Sequence, residues 1–303
     1  MHAPVSISSR GRGAVHNGKP LARSRSPDRV ILIPCSASSA RQWDSLITEL
    51  GGFQAVAVDL YGHGKRPRWH GEGALSLAHE AAAIWNVYPE GAPFHLVGHS
   101  YGGAVALRFA LSFPERLRSL TLIEPSSFHL LADDIENHAH ALGEIRAVAE
   151  ALNCALLSGD YRGGMEVFID YWGGARSWRK LPEEKRAQLA TLAVYVAHHF
   201  CSLFGEKAAL PACIDVNVPT LVLCGMDSPR PSQLIARLLA DTIPHAQHRM
   251  IAGANHMAPI THPGEVNPLI REHLLRHGSQ DQVPRPFGSA SFVSINSACV
   301  QAI

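Results

Sequence analysis

Short apolar runs alternate with longer amphipathic stretches along most of the chain. The runs are rich in β-branched residues, which is typical of buried strands, and we predict strands at residues 30–33, 55–58, 94–97, 120–123, 220–223 and near 248–251. The spacing of apolar residues between these runs predicts helices at residues 42–50, 77–87, 102–112, 232–240 and 266–276. This alternation indicates an α/β fold with a doubly wound, mostly parallel sheet covered by helices on both faces.

The alternation is interrupted by a stretch with helical periodicity only, at residues 135–157, 165–171 and 183–204. We therefore predict a core domain over residues 27–277 with an inserted helical cap at 126–212. Residues 1–26 contain four arginines, many serines and no acid, so we expect a disordered tail there and keep an organellar transit peptide as the alternative. Residues 278–303 are polar and irregular, so we expect a loosely ordered tail. Five side chains are candidates for a substrate pocket, although the cap aromatics would equally serve to pack the cap onto itself: Phe168, Tyr171, Trp172, Phe200 and Met257.

Composition gives no reason to expect several classes of partner or a metal. The chain has 27 Lys and Arg against 26 Asp and Glu, a net charge of +1, so nothing favours binding to nucleic acid or to a membrane surface. No apolar run approaches the roughly 18 residues of a membrane span. The 6 cysteines form no C-x-x-C pair and the 18 histidines show no metal-ligand spacing, so we expect no metal site, and buried thiols in a reducing, cytoplasmic compartment.

The strongest chemical signal is Gly98-His99-Ser100-Tyr101-Gly102, which lies directly between an apolar strand and a helical pattern. Glycines two residues either side of Ser100 remove Cβ atoms that would clash in a sharp strand-to-helix turn. Such a turn lifts the Ser100 hydroxyl above the sheet and directs the helix N-terminus, with the Tyr101 N–H, at developing negative charge. The position of the motif therefore predicts a nucleophilic serine.

Three motifs in order resemble the α/β-hydrolase superfamily, in its serine-nucleophile, cap-bearing and esterase-like branch. They lie at residues 59–64 (Asp-Leu-Tyr-Gly-His-Gly), 98–103 and 253–257 (Gly-Ala-Asn-His-Met), and the resemblance covers about Arg29 to Arg276. It implies Ser100 as nucleophile, His256 as general base in the chain order Ser, acid, His, and no cofactor. A serine at this position argues against the related branches that use an aspartate nucleophile.

The triad acid departs from the pattern of the superfamily. Many members have Gly-x-x-Asp-Pro after the penultimate strand, whereas this chain has Ser228 at the acid position and Asp227 one residue early. Glu124 ends the strand that follows the nucleophile helix, which is the other location known in the superfamily. We therefore favour Glu124 as the acid and keep Asp227 as the alternative.

The motifs define the second oxyanion donor and the reaction less closely than they define the nucleophile and the base. Members often have His-Gly after the first strand, where this chain has Pro34 and Cys35, so we assign the donor beside Tyr101 to Ser36, through its N–H and with its hydroxyl available. The resemblance implies hydrolysis of a small apolar ester or acyl substrate through an acyl-Ser100. A ligand-binding homologue with little turnover, or a carbon–carbon bond hydrolase or acyltransferase with the same triad, remain alternatives.

Overall fold

A parallel six-stranded sheet forms the centre of the computed structural model, which describes residues 27–89 and 91–278. The strands are β1 (Arg29–Ile33), β2 (Gln54–Ala57), β3 (Phe94–His99), β4 (Leu117–Ile123), β5 (Thr220–Gly225) and β6 (Ala246–Ile251). Their order is β2-β1-β3-β4-β5-β6, and every neighbouring pair is parallel. The predicted strands are confirmed, with β4 beginning three residues earlier than expected, at Leu117 instead of residue 120.

Helices follow the strands in the predicted alternation. They are α1 (Asp44–Glu49), α2 (Leu77–Trp85), α3 (Tyr101–Ser112), α4 (Ile135–Leu157), α5 (Tyr161–Gly173), α6 (Ser177–Lys180), α7 (Glu183–Ala190), α8 (Ala193–Phe204), α9 (Arg230–Thr242), α10 (Ala258–Thr261) and α11 (Pro263–Arg276). The helix predicted at 42–50 is shorter, because a 3-10 turn at Ala40–Trp43 precedes α1.

Helices cover both faces of the sheet, and alternate side chains of each strand point to opposite faces. Val30 and Leu32 of β1 belong to a core packed with α1 and α11, whereas Ile31 and Ile33 belong to the larger core packed with α2, α3 and α9. Successive strand residues point to opposite faces, so a strand that is apolar throughout requires cover on both sides. The doubly wound arrangement is therefore confirmed.

Helices α4 to α8 lie between β4 and β5, in the stretch predicted as an insertion. Helix α4 packs against α5 and α8, and its first turn is capped by the Asp134 carboxylate. The helix predicted at 183–204 is wrong as one unit, because α7 ends at Ala190 and α8 begins at Ala193. The cap boundaries 126–212 stay a prediction, and the tails predicted at 1–26 and beyond 278 lie outside the described residues.

Other expectations concern membranes, metals and thiols. Within the described ranges no single helix is long and apolar enough to span a membrane, although the bent pair α7 and α8 meets that test together. No cluster of three or more His, Cys, Asp or Glu in those ranges is arranged to hold a metal ion. The expectation of buried thiols is wrong for Cys154 and Cys201, which are exposed, whereas Cys35, Cys213 and Cys224 are buried and free. The cytoplasmic location stays a prediction.

Candidate active site

Ser100 occupies a sharp turn between β3 and α3. Its backbone has φ 57° and ψ −119°, a strained combination for a residue with a side chain. A Cβ at Gly98 would lie 2.2 Å from the Gly102 carbonyl oxygen, and a Cβ at Gly102 would lie 2.4 Å from the Pro34 carbonyl oxygen. Both positions therefore require glycine, because the start of α3 is pressed against the ends of β1 and β3.

Ser100, His256 and Glu124 form one hydrogen-bonded chain. The Ser100 Oγ lies 2.8 Å from His256 Nε2, and His256 Nδ1 lies 2.7 Å from Glu124 Oε2. All three residues are buried. An imidazole placed in this way can accept the serine proton at one nitrogen while a carboxylate holds the other nitrogen protonated.

The Glu124 carboxylate is fixed by hydrogen bonds to its other oxygen. Oε1 accepts from the Gly225 N–H at 2.8 Å and from the Ser228 hydroxyl at 2.5 Å. Burial acts to raise the pKa of Glu124, but His256, Ser228 and the Gly225 N–H together hold that pKa below its ordinary value. The carboxylate is therefore ionised at neutral pH.

The structure places the two candidate acids very differently. Asp227 is exposed, and its N–H donates to the Ala254 carbonyl in the loop that carries His256. Glu124 has φ 44° at the end of β4, beside β5, and this bend directs its side chain to His256. Ser228, at the position where many relatives have the acid, instead donates a hydrogen bond to Glu124.

Sequence reasoning missed a second serine beside Ser100. The Ser126 Oγ lies 3.1 Å from the Ser100 Oγ, and the Ser126 N–H donates to the Ser100 carbonyl. Both serines are buried. The only signal in the sequence was that Ser126 follows the Glu124-Pro125 pair at the end of a strand next to β3.

A hydrogen-bonded chain that the sequence gave no sign of joins the loop after β1 to the His256 backbone. The Cys35 N–H donates to Gln42 Oε1 at 3.0 Å, and Gln42 Nε2 lies 3.0 Å from His99 Nδ1. The other His99 nitrogen, Nε2, lies 2.8 Å from the His256 carbonyl oxygen, so it donates and Nδ1 accepts. Burial lowers the pKa of His99 to about 3, which keeps this acceptor neutral.

Ser36 lies in the loop after β1, and Tyr101 is the first residue of α3, directly after Ser100. The Tyr101 N–H is the first of α3 and has no acceptor inside its helix. The Ser36 N–H makes no backbone hydrogen bond within the described residues, and its hydroxyl lies 2.7 Å from His199 Nδ1. Ser36 and Ser100 line the same two cavities, whereas Tyr101 lines neither and follows Ser100 directly in the chain. The oxyanion roles of Ser36 and Tyr101 stay a prediction.

A cavity of about 600 Å³ opens above Ser100 and His256. Phe168, Trp172 and Met257 line it as expected, and the Trp172 ring lies 3.9 Å from the His256 ring. Phe200 instead lines a narrow inner cavity that also contains Ser100. Tyr171 lines neither cavity, and its hydroxyl donates to Glu144 at 2.8 Å, so the pocket role predicted for it is not supported.

Curated relatives of the chain include lipases and esterases. The chain is 30% identical to Lipase LipV of Mycobacterium tuberculosis over 267 residues, which cover 82% of this chain and 94% of the relative. It is 29% identical to a pimeloyl-[acyl-carrier protein] methyl ester esterase of Aeromonas hydrophila over 262 residues, which cover 82% of this chain and 95% of the relative.

A solved structure and a family model show the fold of the chain. The carboxylesterase CesB of Bacillus subtilis superposes with a TM-score of 0.61 at 20% identity and covers 82% of this chain and 84% of its own, a likeness of fold. The family model described as "alpha/beta hydrolase fold" matches residues 28–263. The chain therefore belongs to the alpha/beta hydrolase fold family.

Proposed function

We propose that the protein is a serine hydrolase that cleaves a carboxylic ester, or a related acyl bond, through an acyl-enzyme on Ser100. The observation that carries the proposal is the hydrogen-bonded triad at the base of a cavity. The Ser100 Oγ lies 2.8 Å from His256 Nε2, and His256 Nδ1 lies 2.7 Å from Glu124 Oε2. The lipases and esterases among the relatives support an ester as the substrate.

In the first half-reaction His256 Nε2 takes the Ser100 proton while Oγ attacks the ester carbonyl. Glu124 stays ionised, keeps Nδ1 protonated and stabilises the imidazolium that forms. The N–H groups of Tyr101 and Ser36 face the carbonyl oxygen as it becomes negative. The imidazolium then protonates the departing alcohol, which leaves the acyl group on Ser100.

In the second half-reaction water replaces the alcohol. His256 Nε2 removes a proton from the water as it attacks the acyl carbonyl, and it returns that proton to Ser100 Oγ when the acid departs. Aromatic and aliphatic side chains of the cavity, among them Phe168, Trp172 and Leu192, suit an apolar acyl or alcohol group. None of these steps requires a metal or an organic cofactor.

The test is turnover of 4-nitrophenyl butyrate by the wild type and by Ser100→Ala. Loss of a triad nucleophile typically costs about 10⁴-fold or more in kcat, so Ser100→Ala is expected to fall to near background. Ser112→Ala provides a matched control, because Ser112 is exposed at the other end of the same helix, α3. It is expected to retain wild-type activity.

Three other results would replace the proposal. A wild type that binds a fluorophosphonate at one site per chain but turns over no ester is a receptor-like homologue. Activity on an ester that Ser100→Ala retains in full places the reaction elsewhere and removes the nucleophile from Ser100. Turnover of a carbon–carbon substrate with no ester turnover would favour the branch of the family that uses the same triad on ketones.

A further inference from the structure

His199 lies beside both residues expected to stabilise an oxyanion, although it comes from the insertion helix α8 and not from the sheet. Its Nδ1 lies 2.7 Å from the Ser36 Oγ. Its ring stacks on the ring of Tyr101 with centroids 3.7 Å apart and planes at 9°. Tyr101 and His199 are both almost completely buried, so neither ring can move without repacking.

The other nitrogen of His199 indicates which way the hydrogen bond to Ser36 runs. Nε2 is buried and has no hydrogen-bond partner among the described residues. Buried N–H groups without an acceptor are rare in folded proteins, so the proton belongs on Nδ1, where it has the Ser36 oxygen as acceptor. Burial and the neighbouring His63 and His198 also lower the pKa of His199, so the ring is neutral with one proton.

This tautomer leaves the hydroxyl hydrogen of Ser36 free. The Ser36 oxygen accepts from His199 Nδ1, and its O–H then points away from the imidazole. Ser36, His199 and Ser100 line the same narrow cavity, so the free hydrogen has the reaction site in reach. The backbone around Ser36 is also held, because the Cys35 N–H donates to Gln42 and the Ala37 N–H donates to His63 Nε2 at 3.2 Å.

We propose that the Ser36 hydroxyl is a catalytic hydrogen-bond donor to the oxyanion, and that His199 is the positioning residue that holds it in the donating orientation. The inference rests on the proposed function of the site and goes beyond it, since it makes a helix of the insertion part of the catalytic machinery. The reaction would then have three donors to the oxyanion, namely two N–H groups and one hydroxyl.

The first variant to measure is Ser36→Ala, which keeps the backbone N–H and removes the hydroxyl. Loss of one oxyanion donor costs about 10²- to 10³-fold in kcat, and we expect a fall of that size with little change in KM. The inhibition constant of a trifluoromethyl ketone, whose adduct carries the oxyanion, is expected to rise by the same factor. A role in folding alone would not move the inhibition constant and kcat together at constant KM.

His199→Asn and His199→Gln form a matched pair. The Asn amide nitrogen stands where Nδ1 stands and can donate to Ser36, so this variant is expected to stay within about threefold of wild type. The Gln amide is displaced along the side chain and is expected to lose as much activity as Ser36→Ala. In the double variant with Ser36→Ala, His199→Gln is expected to have no added effect, because the two residues act through one hydrogen bond.

Each outcome bears on the inference separately from the proposed function. If wild type hydrolyses esters and Ser100→Ala does not, but Ser36→Ala equals wild type, the hydrolase stands and the hydroxyl donor is refuted. If Ser36→Ala is slow but both His199 variants equal wild type, the orienting role of His199 is refuted. A wild type without ester turnover would instead remove the proposed function itself.

A different observation concerns charge at the cavity. Two exposed lysines, Lys180 and Lys185, line the cavity above Ser100, and no Asp or Glu is among its lining residues. Neither lysine forms an ion pair within the described residues. By contrast, nearby arginines of the insertion are paired with carboxylates, since Arg162 and Arg186 contact Glu183. The cavity therefore carries unneutralised positive charge.

From this charge we infer that the preferred ester carries an anionic group at the end remote from the scissile bond. The inference also rests on the proposed function. The probe is a pair of equal chain length, the 4-nitrophenyl monoester of adipic acid and the 4-nitrophenyl ester of hexanoic acid. Changing both Lys180 and Lys185 to Gln is expected to raise KM about three- to tenfold for the adipate monoester only. This magnitude is that of losing two exposed ion pairs between the lysines and the substrate carboxylate.

Arg179→Gln is the matched control, because Arg179 lies in the same helix as Lys180 but pairs with Glu166 at 3.1 Å. It is expected to leave the ratio of the two KM values unchanged. The effect of the lysines is also expected to shrink in 0.5 M salt, since exposed charges are screened. If the double variant changes both substrates equally, or neither, the anionic substrate class is refuted, whereas turnover of the hexanoate ester tests the hydrolase independently.

Discussion

Replacing Glu124 by Gln tests how the buried acid supports His256. The variant keeps the shape of the side chain but removes its charge, and it faces the protonated Nδ1 of His256 with a group that can donate as well as accept. At the 2.7 Å separation of Oε2 and Nδ1, two full charges interact by about 6 kcal/mol at an effective dielectric constant of about 20. The imidazolium charge is spread over two nitrogens, so about 3 to 6 kcal/mol of transition-state stabilisation should be lost, which corresponds to about 10²- to 10⁴-fold.

The assay is kcat and kcat/KM on 4-nitrophenyl butyrate at pH 7.5, with equal amounts of folded protein verified by circular dichroism. Asp227→Asn is the matched control, because Asp227 is exposed and lies one residue from Ser228, which contacts Glu124. It is expected to keep activity within about twofold. A Glu124→Gln variant with wild-type kcat, together with an inactive Asp227→Asn, would refute Glu124 as the acid.

Three further predictions concern packing, cavity shape and pH. Gly98→Ala is expected to abolish folded, active protein, because its Cβ would lie 2.2 Å from the Gly102 carbonyl oxygen. Gly143→Ala is expected to raise the free energy of unfolding by up to about 1 kcal/mol in urea titrations, because Gly143 lies within α4 and a Cβ there would meet open space. Leu192→Trp should narrow the cavity and lower the ratio of octanoate to acetate ester turnover, and an unchanged ratio would contradict the cavity as the acyl site. Burial lowers the pKa of His95 and His99 from 6.5 to about 3, and it raises the pKa of Glu80 from 4.5 to about 7. Between pH 6.5 and 4.5 the two histidines take up protons only in the unfolded chain and Glu80 only in the folded chain, so the histidines outweigh Glu80 and the free energy of unfolding should fall as the pH falls. A profile flat between about pH 7 and 5 would contradict this.

Local sequence patterns were sufficient for the sheet and for the nucleophile turn. A parallel strand buried on both faces is apolar at consecutive positions, so β1, β3 and β5 are visible without tertiary information. The turn at Ser100 has a similarly local cause. The glycines that flank it are required by contacts with residues a few positions away in the chain and with the end of β1.

Features that depend on tertiary contacts were not readable. The choice between Glu124 and Asp227 turns on the bend at Glu124 beside β5 and on a contact with His256 across 132 positions of sequence. Tyr171 and Trp172 are adjacent aromatics on α5, and consecutive helix residues point about 100° apart, so the pattern alone did not tell which of them faces the cavity.

The break between α7 and α8 has a local cause that apolar periodicity does not report. The Thr191 hydroxyl donates to the Gln188 carbonyl at 2.7 Å, which competes with the helical hydrogen bonds where α7 ends. The role proposed for His199 is a case of the same kind, since its contact with Ser36 joins residues 163 positions apart. Such contacts become visible only when the insertion is placed on the sheet.

Covalent labelling tests the central claim most directly, because Ser126 lies 3.1 Å from Ser100 and offers a second hydroxyl. Protein treated with a fluorophosphonate would be digested, and the modified serine identified by tandem mass spectrometry, with turnover of 4-nitrophenyl butyrate followed in parallel. We expect one adduct per chain, located on Ser100, with loss of ester turnover in proportion to labelling. An adduct on Ser126, or full labelling of Ser100 with undiminished turnover, would contradict an acyl-enzyme on Ser100.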